Sequence, residues 1–310
     1  MELEQLADQS TGGASTVAVV PPASGRPMGN ISPQADATCA TCGSSLGPDP
    51  GADAAYPYVY AFGRVEPRFP RLDVEKEFAQ AVGRADTVNL TDRAALQQVL
   101  SQRQNRYLVR QLCWVLTIEG LETYLLQPRD PAELDLLIEA LRPAPSPMDI
   151  DVVIGRRGPI ALPQMCNGLM IPIVIFDQLY SFDRDSFIKS IPRPAKTSAK
   201  EYEPMAGTLL DRIMQMADNA GATDEHRALN YCVARYPALY ATVADAFGRN
   251  FSLRAIDVRP SRLSTTRKIL DVILSCANRQ TDVIEQYFVR VDVTEEFPFL
   301  VTAVSPYFER

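Results

Sequence analysis

The chain reads as an α+β protein with mixed or antiparallel sheets, a central helical block and a disordered N-terminal arm. Three observations predict this. Apolar residues alternate at period two in segments before Asp183 and again after Leu253, the pattern of half-buried strands. Between them, from Pro204 to Gly248, the spacing turns helical: Leu209, Ile213 and Met216, then Leu229, Cys232, Val233 and Tyr236. Residues 1–55 are rich in Ala, Gly, Ser, Pro and Asp and poor in large apolar side chains, so burial cannot offset the entropy of ordering them.

The folded part, 56–310, opens with a strand from Tyr56 to Gly63. After Pro67 and Pro70, Leu72–Val82 suits a helix, and Thr91 caps another running to Arg106. Leu112, Trp114, Leu116 and Ile118 alternate as a strand, and Glu119-Gly120 turns into a second strand, Thr123–Gln127. Asp130-Pro131-Ala132-Glu133 supplies a cap, an N1 proline and an N3 acid for a helix to Leu141. The Pro-rich stretch from Pro143 to Pro147 suggests a boundary between two lobes near 143–149. Ile150–Gly155 and Ile171–Tyr180 read as strands, with a short helix near Asp183–Ser190. After the helical block comes a meander: Leu253–Val258, Lys268–Cys276, Ile284–Val293 and Phe297–Val304.

Composition excludes several functions. A net charge of −7 argues against general nucleic-acid binding, which needs Lys and Arg against phosphates. No apolar run reaches the ~20 residues of a membrane span, and Met1–Gln9 lacks the basic, apolar character of a signal peptide. A cytoplasmic location follows, where six cysteines read as thiols or metal ligands rather than disulfides.

Cys39 and Cys42 form a Cys-x-x-Cys knuckle, with Gly43 easing the turn, and such a pair is half of a structural zinc site. Cys232 and Cys276 lie on apolar faces and read as core. Cys113 faces away from the Leu112, Trp114, Leu116, Ile118 side, and Cys166 sits in the loop from Pro163 to Gly168. The expected site is therefore Zn bound by Cys39, Cys42, Cys113 and Cys166.

Only one histidine is present, which excludes His-rich metal triads. His226, in Thr-Asp-Glu-His, reads as a first-turn helix residue; the sharper alternative pairs it with Cys166 as a nucleophile and base, with Asn167 as orienter. No phosphate loop, dinucleotide fingerprint, nucleophile elbow or His-Glu-x-x-His occurs. Arg103, Arg106 and Arg110 recur at helical spacing as a stripe that could bind peptide carboxylates, or simply be solvated.

Five segments carry a resemblance. They are Tyr58-Val59-Tyr60-Ala61-Phe62-Gly63, Arg110-Gln111-Leu112-Cys113-Trp114, Ile118-Glu119-Gly120-Leu121-Glu122-Thr123-Tyr124, Met165-Cys166-Asn167-Gly168-Leu169-Met170 and Phe176-Asp177-Gln178-Leu179-Tyr180-Ser181-Phe182. Over residues 56–310 the chain resembles the C-terminal domain of unknown function of cyanobactin maturation proteins, which follows subtilisin-like protease or macrocyclase modules. The resemblance implies a setting, the biosynthesis of ribosomally made, post-translationally modified peptides, without a catalytic assignment. With no protease module in its 310 residues, the expectation is a free-standing version that finds partners by non-covalent contact.

The leading expectation is a non-catalytic, zinc-stapled accessory protein that binds a precursor peptide or a peptide-maturation enzyme. The alternative is a zinc- or cysteine-dependent peptide-modifying enzyme. A third reading is a structural module that sets a homo-oligomeric state.

Overall fold

The computed structural model describes residues 57–84, 90–193, 198–215, 218–281 and 283–308. The arm expected over residues 1–55, with Cys39 and Cys42, lies outside them, as does Met216.

Five strands form a closed barrel in the order β1-β2-β3-β5-β4. They are β1 (Tyr58–Arg68), β2 (Cys113–Ile118), β3 (Leu121–Pro128), β4 (Asp149–Ile160) and β5 (Pro172–Asp183). All pairings are antiparallel except β3 with β5. The β2–β3 turn places Glu119 and Gly120 at φ of 50° and 81°, a conformation Gly adopts freely and that fits a tight hairpin. Because β4 closes the barrel against β1 and β5, the Pro143–Pro147 stretch is a connection inside one fold. The expected lobe boundary near 143–149 is corrected accordingly.

Four helices pack their apolar residues with the odd-numbered side of β1 (Val59, Ala61, Val65): α1 (Leu72–Arg84), α2 (Asp92–Ser101), α3 (Arg106–Gln111) and α4 (Leu134–Ala140). The helix expected from Thr91 to Arg106 stops at Ser101. Gln102 is extended, and the buried Asn105 side chain donates to the Val99 carbonyl at 2.9 Å, so a 3-10 turn replaces the next helical turn. Thr91 caps α2 as expected, its hydroxyl accepting from Ala94 N–H.

The other side of β1, Tyr60 and Phe62, joins Ile150, Val152 and Ile154 of β4 in a second core. There the barrel wall meets α5 (Arg184–Ser190), α6 (Ala199–Met214), α7 (Asp224–Arg235) and α8 (Pro237–Gly248). Beyond these helices lies an antiparallel sheet, β6 (Phe251–Pro260), β7 (Ile269–Asn278), β8 (Ile284–Asp292) and β9 (Phe299–Pro306), in sequential order. Its inner residues Leu270, Val272, Leu274, Val289 and Val291 complete the same core. The protein is thus α+β: eight α-helices and two sheets among the described residues. Val59–Phe62 of β1 and Ile150–Gly155 of β4 are buried on both faces, which is why these stretches are mostly apolar. Among the described residues, no helix is long and apolar enough to cross a membrane.

Candidate functional site

Cys113 opens β2 with its side chain outside the barrel, where Val115, Leu125, Ala161 and Ile173 form a small separate core. The loop between β4 and β5 folds over that core. Asn167 and Gly168 take left-handed φ values of 45° and 85°, and Gly168 N–H donates to the Pro163 carbonyl at 2.7 Å. The loop delivers Cys166 to Cys113, and the two are joined as a disulfide with Cα atoms 5.9 Å apart. Two of the four expected zinc ligands therefore meet, across 53 residues of sequence. As a disulfide they are not thiolates, and reduction is what would make them ligands. A cavity of about 600 Å³ adjoins Cys166, bordered by Pro67, Phe69, Arg68 and Glu122.

Cys232 and Cys276 are free, buried thiols. Burial raises the pKa of both, that of Cys276 to about 11, so both are poor nucleophiles. His226 stands in the first turn of α7, its own N–H donating to Thr223 Oγ1 at 3.1 Å. Burial holds its imidazole below the ordinary pKa, against the nearby Glu225 and Asp218 carboxylates. Cys166, its partner in the nucleophile–base alternative, is bonded to Cys113.

The arginine stripe is not one helix face, since Arg103 lies in the 3-10 turn that ends at Asn105, before α3 begins at Arg106. Arg103 and Arg110 are exposed, whereas Arg106 is paired with Asp135.

Two sites escaped sequence reasoning. The first is a cavity of about 430 Å³ at the barrel mouth, in the size range of ligand sites. Phe62, Ile118, Ile150 and Met214 make its apolar wall. At its rim stand Arg64, whose guanidinium donates to the Pro147 carbonyl, and Glu66; neither has an ion partner among the described residues. Gly63 lets β1 approach β2 here, because a Cβ would strike the Thr117 carbonyl and the Leu116 side chain. Thr117 Oγ1 is buried without a hydrogen-bond partner.

The second is a charged joint between the barrel and the turn leading from β8 to β9. Asp177 is the extra residue of a bulge in β5, between Phe176 opposite Gly155 and Gln178 opposite Ile154. Arg129 pairs with Asp177, and Arg156 Nε donates to Glu296 Oε2 at 3.1 Å. Tyr58 is flanked by the guanidinium carbons of Arg156 and Arg227, 5.4 and 5.0 Å from its ring centroid. Side chains from positions 58 to 296 meet here, and no local motif signals such a meeting.

The comparisons bear on the whole architecture. Residues 196–307 match the family model described as PatG C-terminal, the stretch holding α6 through β9. A solved structure described as the PatG domain of unknown function superposes with a TM-score of 0.67 at 20% identity, over 81% of this chain and 99% of that one. No curated protein matches. The chain carries a PatG C-terminal-like domain. Within this PatG-like fold, the family match falls on the helical block and the four-stranded sheet. The five segments that suggested the resemblance lie on the barrel instead. Phe62-Gly63 and Ile118-Glu119-Gly120 border the mouth cavity, Cys166 to Leu169 border the cavity beside the cysteine pair, and Asp177 enters the charged joint.

Proposed function

We propose that this protein is an accessory factor in the biosynthesis of ribosomally made, post-translationally modified peptides. On this reading it acts in the cytoplasm and binds a precursor peptide, or the enzyme that modifies it, without altering it chemically. The PatG-like fold fits a cyanobactin-related setting. The observation that carries the binding role is the mouth cavity. An apolar wall accepts a side chain, while Arg64 and Glu66, one cation and one anion left without ion partners among the described residues, suit the charged and amide groups of a peptide. The exposed Arg103 and Arg110 offer an acidic leader a cationic approach that salt would weaken.

The edges of the β6–β9 sheet suit the addition of a peptide strand poorly. β9 is an edge strand, but the Tyr236 hydroxyl already accepts from Val304 N–H at 3.0 Å. At the opposite edge, β6 carries Arg254, Asp257 and Arg259, charges that discourage strand addition. Structural zinc belongs to the same reading, held by Cys39, Cys42, Cys113 and Cys166 in the reduced protein.

Incubating candidate precursor peptides with the purified protein tests this. Saturable binding by calorimetry with unchanged peptide masses is the expected result. A mass change that depends on the folded protein would replace the binding role with an enzymatic one.

A further inference from the structure

The turn from β8 to β9, residues 293–298, is fastened to the rest of the protein through charges. Arg227 of α7, only 2% exposed, donates to the carbonyls of Val293, Glu295 and Glu296. Glu296 itself reaches the barrel. The Arg129 guanidinium spans two carboxylates, paired with Asp177 Oδ1 and 3.7 Å from Glu296 Oε2. Arg156 approaches that same Oε2. The cations thus occupy one oxygen of each carboxylate. The other oxygen of each, Asp177 Oδ2 and Glu296 Oε1, is buried with no hydrogen-bond partner. Two unpartnered acceptors in one buried cluster need a donor, and a carboxylic acid supplies one.

We propose that Glu296 keeps a proton that it donates to the Asp177 carboxylate, and that this proton is a pH-controlled latch holding the β8–β9 turn against the barrel. The acid O–H of Glu296 donates to Asp177, so both orphaned oxygens are satisfied and the site carries one negative charge instead of two. Burial, followed by the hydrogen bond to Asp177, raises the Glu296 pKa against the opposing effect of Arg156. The other charged or titratable groups at the joint are Arg129 from the β3–α4 connection, Tyr58 of β1, Arg227 with Asp224 on α7, and Glu295 in the turn.

A carboxyl whose folded pKa is raised stabilises the folded turn fully below its ordinary value, near 4.3, and that contribution is lost as pH rises through the raised value. Arg129 and Arg156 remain as counter-charges, but their side chains are 45% and 50% exposed, so solvent screens them. Loss of the proton therefore frees the turn from the barrel side. Phe297 and Phe299, each nearly half exposed at this turn, move with it.

The test uses the full chain. Carboxyl-carbon NMR should find Glu296 titrating above about 4.3. Hydrogen exchange at residues 293–297, corrected for its intrinsic pH dependence, should lose protection by up to about tenfold per pH unit through that transition. Glu296→Gln, neutral at every pH and still a donor, should hold protection constant, and Asp177→Asn should also flatten the profile. A wild-type Glu296 that titrates at or below the ordinary value would overturn the latch without needing any variant. Equally, a turn whose protection ignores pH, or a Glu296→Gln protein with the wild-type profile, would overturn it. None of these outcomes depends on peptide binding at the mouth cavity.

Discussion

The Arg227 guanidinium carbon lies 5.0 Å from the centre of the Tyr58 ring, joining the second helical layer to the first strand of the barrel. Three carbonyls of the β8–β9 turn receive its protons, so one buried cation binds a helix, a strand and a turn. Replacing Arg227 with Leu strands those carbonyls, each at about 1–3 kcal/mol. Urea unfolding should show a loss of about 3 kcal/mol or more, and Arg227→Lys should recover only part of it.

Gly155 tests the bulge that presents Asp177. A Cβ there would run into the Ile175 carbonyl and the Phe176 backbone, neither of which can swing away. Gly155→Ala should cost about 1–3 kcal/mol, read as a lower denaturation midpoint with an unchanged slope.

Asp151 provides a second pH test, separate from the turn. It is 4% exposed, accepts from Val65 N–H and the Ser181 hydroxyl, and is pushed upward in pKa chiefly by burial. The folded state therefore holds its proton more tightly than the unfolded state does. This stabilisation is complete below about 3.9 and disappears as pH rises through the raised value. Asp151→Asn should flatten the pH dependence of Tm across that window.

The cysteines make a paired prediction. Under non-reducing conditions Cys113 and Cys166 should resist alkylation as a disulfide. After reduction, elemental analysis should find about one zinc per chain, and Cys39→Ala or Cys166→Ala should abolish it. Chelation should then lower Tm, because thiolate coordination couples metal to folding. Reduced, metal-free protein with an unchanged Tm would remove zinc from the account.

At the mouth cavity, Ile118→Arg should abolish peptide binding with little change in Tm, since Ile118 is only part-buried. His226→Gln should leave both binding and fold intact, because the histidine occupies a capped first turn and its imidazole is held neutral at neutral pH. Loss of function in a folded His226→Gln protein would restore the cysteine–histidine reading.

Local sequence determined what neighbours along the chain decide. The Thr91 and Asp130 caps and the Glu119-Gly120 turn are built from interactions within a few residues, and the helical block and the meander show in the apolar periodicity along each element, so the pattern carries them. Cys113's outward orientation was legible for the same reason, since alternation assigns each strand residue to a face. Tertiary structure decided the rest. Barrel closure pairs β1 with β4 across about 90 residues, and nothing local to Pro143–Pro147 shows that the chain returns to the same sheet. The break after Ser101 depends on a buried Asn105 taking a backbone carbonyl. The joint of Tyr58, Arg129, Arg156, Asp177, Arg227 and Glu296 draws single side chains, five of them charged, from six separate segments. No one of them signals the others along the chain, and only the fold brings them within reach of one another.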